Sequence, residues 1–319
     1  MSEKKIDLKK DKTLIKNILN ELNKVVVGHP EVIKASVRSL ITGGHLLIDG
    51  IPGSAKTLLA KSLAKVTGVN PVRIQGRPFL EAKDVFGEKV NNRFVKGPLF
   101  HEFIIVDHIN RIEPENQAML LEAMEERQIS IGAKKYNLEE DFILIGTMTS
   151  LDGGVFPLVG TLLDRFMFCV NMDNPNMHDE HIILHNHEEW TPKTASLKVL
   201  LNKTKLANLK KDVRKVYMNT EVHKYILRIV QATRNPKKFH VPNSQCVLLG
   251  CSSRGAIALM MAAKADALIE GDDFVTPQNV KNVAHDVLRH RIILSEESLE
   301  KEITPDLIIR EILKRVPVL

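Results

Sequence analysis

The sequence predicts an α/β fold, a parallel sheet with helices on both faces, followed by a small all-α domain. Three observations predict it. A short strand, His45 to Ile48, runs through a Gly- and Pro-containing turn into a helical pattern. Two further apolar runs, Phe103-Ile104-Ile105-Val106 and Phe142 to Thr147, flank an amphipathic helix over 115–127. Strand and helix in alternation imply a parallel sheet covered on both sides. From residue 212 onward the chain reads as helical patterns separated by breaks at Asn235-Pro236, Val241-Pro242 and Thr276-Pro277; such breaks end helices. The expected organisation is an α/β domain over 1–185, a linker region over 186–211 and a helical domain over 212–319.

Composition narrows the function classes. The 319 residues, 44% of them hydrophobic, suffice for two cores. Aromatic residues make up 5%, with Trp190 the single tryptophan, which argues against a stacking platform for single strands. The net charge of +6 is mostly interspersed with acids, apart from MSEKKIDLKKDK and a cluster over 203–215. Both read as solvated surface rather than a nucleic-acid patch. Cys169, Cys246 and Cys251 form no CxxC pair, so neither a disulfide framework nor a zinc spacing is expected. The start has no apolar leader, and no run reaches the roughly 18 apolar residues of a membrane helix. A cytoplasmic protein without a membrane span is expected. HDEHIILHNHE, residues 178–188, lacks the spacing of HExxH and reads as a polar helix face.

The elements follow in order. Leu14, Ile15, Ile18, Leu19 and Leu22 fall at helical spacing, and Val27-Gly28-His29-Pro30 breaks the pattern before a second helix over 31–41. Thr42-Gly43-Gly44 turns the chain into the first strand. Then comes the strongest signal, Gly50-Ile51-Pro52-Gly53-Ser54-Ala55-Lys56-Thr57. It matches a P-loop in order and spacing, with Ala55 where the general pattern has Gly. Glycines let consecutive N–H groups converge on a phosphate at the positive end of a helix. Lys56 would reach β/γ-phosphate oxygens and the Thr57 hydroxyl would ligate Mg²⁺. The expected nucleotide-binding set is Gly50, Ile51, Pro52, Gly53, Ser54, Ala55, Lys56, Thr57 and Leu58, and the expected ligands are ATP and Mg²⁺.

The second strand ends in Asp107, a carboxylate placed to join Thr57 in the magnesium shell. His108 follows it. After the 115–127 helix, QISIGAKKYNL reads as a hairpin around Gly132-Ala133. LGCSSRGAIALMMAAKADALIEG reads as one long helix with a polar start, closed by Gly271.

IDGIPGSAKTLLAKSLA, INRIEPENQAMLLEAMEERQISIG, LLDRFMF, CSSRGAIALMMAAKADAL and VTPQNVKNVAHDVLRHRIIL, in that order, resemble the MoxR family of AAA+ ATPases, from about residue 14 to the C-terminus. Ala55 is usual in that family. The resemblance implies a P-loop AAA+ domain with a helical lid, ATP hydrolysis, and a ring, a hexamer, working as a chaperone-like remodeller. The implied partners are a von Willebrand factor A domain protein and client proteins. Arg165 in LLDRF resembles the arginine finger that acts on a neighbouring subunit's nucleotide; the competing reading pairs it with Asp164. Arg254 in SSRGA resembles the sensor-2 arginine, against a plain surface arginine. The 128–138 hairpin and residues 82–98 resemble insertions that face the ring's pore.

Two positions depart from the family. His108 stands where the family has the Glu that polarises the attacking water, and Thr149 stands at the sensor-1 position where it has Asn. SLDGGVFPLVGT also lacks the family's Pro-Glu-Ala run. A neutral imidazole can accept a proton, but beside Mg²⁺ and two arginines it is disfavoured from doing so. Loss of a general base costs roughly two to four orders of magnitude in rate. The residues therefore predict a site that grips ATP and hydrolyses it slowly or negligibly; the alternatives are a non-hydrolysing nucleotide-gated scaffold and, with little support in the sequence, a nucleic-acid motor.

Overall fold

The computed structural model describes residues 6–91, 93–131, 134–139, 141–149, 156–188 and 196–318. The chain divides into two compact units, one of Asn17–Phe166 with Val170–Leu206, the other of Met1–Lys16 with Met167–Cys169 and Ala207–Leu319.

The α/β unit opens with the second half of α1 (Leu8–Asn23), then α2 (Pro30–Thr42), β1 (His45–Gly50), α3 (Lys56–Thr67), β2 (Val72–Gln75) and α4 (Ala82–Phe86). It continues through β3 (Gly87–Val90), β4 (Arg93–Lys96), β5 (Phe103–Asp107), α5 (Pro114–Glu126), β6 (Gln128–Ile131) and β7 (Lys134–Asn137). It closes with β8 (Ile143–Met148), α6 (Gly160–Leu163), β9 (Phe166–Met172) and α7 (Met177–Glu188). The five-stranded sheet has the order β2-β5-β8-β1-β9, and β2/β5, β5/β8 and β8/β1 pair in parallel. Every residue of β5 is buried, as a parallel strand covered on both faces requires. Leu46, Leu47, Ile48, Ile104, Ile105, Val106 and Leu144 form the sheet's core. Each such side chain contributes about 1.5–3 kcal/mol by leaving water.

Two antiparallel hairpins stand off this frame. β3 pairs with β4 and β6 with β7; the expected turn at Gly132-Ala133 lies outside the described residues. Phe94 of β4 lies 4.2 Å, centroid to centroid, from Tyr136 of β7, and 5.6 Å from Phe100. The two hairpins therefore share one aromatic cluster.

The helical unit contains most of α8 (Lys203–Lys215), then α9 (Thr220–Arg234), β10 (Val247–Leu249), α10 (Ser253–Glu270), α11 (Pro277–Leu288), β11 (Ile293–Leu294), α12 (Glu297–Glu300) and α13 (Pro305–Arg315). β10 and β11 form an antiparallel pair, an addition to the expected helices. The long helix starts at Ser253, four residues later than the pattern suggested. Leu249 lies in β10, and the Ser252 hydroxyl caps the helix by accepting the Arg254 N–H at 3.1 Å. Gly271 closes it in the left-handed region, φ 89°. Asp266, fully buried on α10, accepts from Asn279 and Asn282 of α11 at 3.0 and 3.0 Å.

Two segments group differently from the expected boundaries. Residues 6–16 belong with the helical unit. Residues 197–201, expected in the linker, pack in the α/β unit: Leu197 and Leu201 are buried, and the Leu200 and Leu201 amides both donate to the Val66 carbonyl. Residues 189–195 of that linker, Trp190 among them, lie outside the described residues. Among the described residues no helix is long and apolar enough to cross a membrane.

Candidate nucleotide site

The site is built at the C-terminal ends of β1, β5 and β8, where a parallel sheet presents its ligands. Between β1 and α3 the chain makes the tight turn that its sequence requires. A Cβ on Gly50 would lie 2.2 Å from the Met172 carbonyl oxygen, so only glycine fits there. Gly53 takes φ 83° and Ala55 φ 67°; the left-handed conformation costs an alanine about 1–2 kcal/mol. The Ser54 hydroxyl donates to the Ile51 carbonyl at 2.9 Å. Lys56, 8% exposed, folds back so that Nζ donates to the Gly50 and Ile51 carbonyls, each at 2.7 Å.

These residues fit a polyphosphate. α3 starts with no side-chain cap and no acid in its first turn. Its leading N–H groups point out of the helix end and call for an acceptor from elsewhere. A buried ammonium on two neutral carbonyls stands beside them, and its preferred partner is an anion.

Oxygen groups of the kind that a hard divalent cation takes meet one step away. Asp107 is fully buried. Its Oδ1 accepts from the Thr57 hydroxyl at 2.9 Å and from the Thr147 hydroxyl at 2.8 Å. Its Oδ2 accepts from Arg73 Nε at 2.5 Å. Arg73 Nη2 donates onward to Gln75 Oε1 at 2.6 Å. The sequence pointed to Thr57 and Asp107 but not to Arg73 or Thr147. Both are brought in by strand register: Gln75 lies opposite Asp107, and Val106 opposite Gly146 places Thr147 beside Asp107. Their only sequence signal is a polar residue at the end, or at alternate positions, of a short strand.

His108 sits in the left-handed region at φ 52°. Its amide donates to the Thr147 hydroxyl at 3.2 Å, so Thr147 ties the Asp107 carboxylate to the His108 backbone. Gly76 closes the other side: its N–H donates to the Asp107 carbonyl at 2.7 Å, and a Cβ there would lie 2.1 Å from the His108 oxygen. The His108 imidazole is not engaged in this way; its Nδ1 is buried without a hydrogen-bond partner. Thr149, 2% exposed, follows the tip of β8. Its carbonyl accepts from Asn110 Nδ2 at 3.0 Å. Asn110 is a buried amide two residues past His108 that no sequence motif marks.

Arg165 follows α6 and forms an ion pair with Glu125 of α5. Glu125 is thus one intrachain partner of Arg165. Arg254 lies in the helical unit, exposed, in the first turn of α10. Residues 150–155 of the loop before α6 lie outside the described residues. HDEHIILHNHE falls on α7, and among the described residues no group of three His, Cys, Asp or Glu is placed to hold a metal ion.

Comparison with known proteins agrees with this geometry. The model of the ATPase family associated with various cellular activities (AAA) matches residues 45–168, and the AAA lid domain matches residues 242–312. Chaperone MoxR1 of Mycobacterium tuberculosis is 32% identical over 304 residues, covering 93% of this chain and 80% of the relative. The uncharacterized protein YeaC of Bacillus subtilis is 33% identical over 312 residues, covering 96% and 95%. A crystal structure of a Cytophaga hutchinsonii protein superposes with a TM-score of 0.88 at 33% identity, covering 97% of this chain and 96% of that one. A turn shaped for phosphate, a buried strand-end carboxylate beside Thr57, a helical lid and relatives that match along nearly the whole chain place this protein in the MoxR family of AAA+ ATPases.

Proposed function

We propose that this chain binds ATP with Mg²⁺ at residues 50–58, assembles into a ring, and remodels partner proteins as a chaperone-like machine with slow hydrolysis. The observation that carries the reading is the contrast around Thr147. On one side its hydroxyl, with Thr57 and Arg73, satisfies Asp107. On the other, the imidazole at the usual position of the water-activating carboxylate has a buried nitrogen without a partner. Lys56 and the amides of residues 53–57 would hold the phosphates, and Thr57 with Asp107 would hold Mg²⁺. The cation supplies neutralisation of phosphate charge. The chain's own contribution on the water side is weaker: His108 cannot offer a carboxylate's charge, and Thr149 has no amide to orient a water.

The family's remaining features enter on the same terms. Arg165 would serve a neighbouring subunit's nucleotide after leaving Glu125, and Arg254 would act as sensor 2. A hexamer, a von Willebrand factor A domain partner and a cytoplasmic location are what the resemblance supports. A second reading, a nucleotide-gated scaffold that assembles without turnover, is favoured by His108 and Thr149 together.

Nucleotide binding and phosphate release measured on one preparation test the proposal. The expected result is Mg²⁺-dependent binding that Lys56→Ala removes, with turnover well below about one per second. Binding that survives Lys56→Ala overturns the site. Turnover at an ordinary enzymatic rate, removed by His108→Ala, makes His108 a working base and overturns the slow-hydrolysis reading.

A further inference from the structure

We propose that Arg73 is a positioning residue for the metal-binding carboxylate: it orients Asp107 through Oδ2, the oxygen that Thr57 does not touch. The proposal rests on the nucleotide-site reading above and adds a residue that no family motif in the sequence identified.

The argument starts from burial. Asp107 has no exposed surface, and an uncompensated carboxylate in such a place is strongly disfavoured. Thr57 and Thr147 each give Oδ1 one neutral hydroxyl donor. Oδ2 receives its donor from a cation, Arg73 Nε at 2.5 Å. Charge-assisted contacts of this kind are short and roughly twice as strong as neutral ones. Arg73 is itself aimed. It lies on β2, an edge strand of the sheet, two residues before Gln75, so both side chains leave the same face of that strand. Gln75 Oε1 accepts Nη2 at 2.6 Å and fixes the plane of the guanidinium. Gln75 is the residue in register with Asp107. The guanidinium thus bridges two neighbouring strands with two donors in a fixed fork, which a lysine cannot reproduce.

A positive charge near a cation site also repels the cation, so the sign of the net effect must be decided. The Arg73 side chain is 47% exposed, and solvent screens its charge at a distance. Its hydrogen bond to Oδ2 is not screened, because the carboxylate end is dry. Orientation therefore outweighs repulsion. Without Arg73, Asp107 keeps two hydroxyl donors on one oxygen, and its other oxygen is orphaned in the interior. Partners that orient a metal ligand from behind typically change metal affinity by roughly 10–100-fold.

The test titrates Mg²⁺ against a fluorescent ATP analogue with the full-length protein, alongside Arg73→Gln, Arg73→Lys and Lys56→Ala. Circular dichroism and thermal melts without ligand establish that the variants are folded. Arg73→Gln is expected to raise the Mg²⁺ concentration needed for half-maximal binding by roughly 10–100-fold, leaving metal-free binding of the analogue unchanged. Arg73→Lys should recover part of the loss, since it restores the charge without the fork. A second readout, Mn²⁺ binding followed by electron paramagnetic resonance in the presence of nucleotide, should weaken in parallel. A merely structural residue would lower the melting temperature and leave the Mg²⁺ midpoint in place; that result overturns the proposal, as does a lowered midpoint in Arg73→Gln. Binding by the parent that Lys56→Ala abolishes shows that the site reading stands while Arg73 is judged. A parent that binds no nucleotide overturns both.

Discussion

The two edges of the candidate site are built to different standards. On the phosphate edge, Lys56 and Asp107 are nearly or fully buried, and each polar atom discussed has its partner: two carbonyls for the ammonium, two hydroxyls and a guanidinium for the carboxylate. On the water edge, the His108 backbone is tied to Thr147, but its Nδ1 is buried with no partner. On the function proposed above, the difference separates holding a charged ligand from activating a water, with separate residues for each. A sequence can keep one set intact while the other changes.

The largest expected effect breaks the first edge. Lys56→Ala should weaken ATP binding by at least about 100-fold, or about 2.7 kcal/mol, as read by titration with a fluorescent analogue. An affinity within a few-fold of the parent would show that the ammonium on its two carbonyls is a structural brace.

The second effect restores the other edge. His108→Glu with Thr149→Asn should raise turnover by roughly 10²–10⁴-fold, since a positioned base is worth that range. His108→Glu alone should gain far less, because groups acting on the same water are not additive. Affinity should stay within about threefold in both variants. Phosphate release and analogue binding on the same samples decide it. A double variant no faster than the parent places the block elsewhere.

How much of this contrast was legible in the sequence depends on distance along the chain. The turn at 50–57 and its flanking strand and helix were readable, because the glycines, the lysine and the periodicities are contiguous. Asp107 was readable as an acid closing an apolar run. Arg73 and Thr147 were not, since β2 has four residues and its alternation V-R-I-Q signals only a short half-buried strand. Their role exists only once β2, β5 and β8 align. The grouping of residues 6–16 with the helical unit was hidden for a similar reason: α1 reads as one amphipathic helix, and nothing along it marks the boundary between units.

A buried acid outside the site gives the comparison a control. Asp11 of α1 is 8% exposed, and its Oδ2 has no hydrogen-bond partner. Burial pushes its pKa up to about 6, with the neighbouring carboxylates of Asp212 and Asp7 adding to the rise and Lys10 opposing it. Asp107 has a guanidinium where Asp11 has another acid. The folded protein holds the Asp11 proton more tightly than the unfolded chain does. Stability from this group is therefore highest at low pH and falls as pH rises from the unfolded value of 3.8 through about 6. Asp11→Asn should stabilise the protein at pH 7.5 by about 1–3 kcal/mol and have almost no effect at pH 3. Thermal melts at the two pH values would show it; an equal shift at both would mean that the carboxyl is not the cause.

The smallest effect concerns Glu125, the ion-pair partner of Arg165. Glu125 is 42% exposed beside Arg165, and a pair with one solvent-exposed member is worth about 1 kcal/mol or less. Glu125→Gln should therefore sharpen ATP-dependent assembly by no more than about fivefold, while Arg165→Ala should remove it; light scattering with a non-hydrolysable analogue reads both. A strict monomer in every sample would dismiss the ring.

The contact of Phe94 with Tyr136 makes a cooperative unit out of two hairpins that are far apart in the chain. An aromatic pair of this geometry is worth about 0.5–1.5 kcal/mol. Opening one hairpin should then raise the opening probability of the other roughly two- to tenfold. Amides over 93–96 and 134–137 should exchange with solvent deuterium at linked rates, and Tyr136→Ala should speed exchange in the hairpin that it does not belong to. Whatever pulls on one of these arms is felt by both.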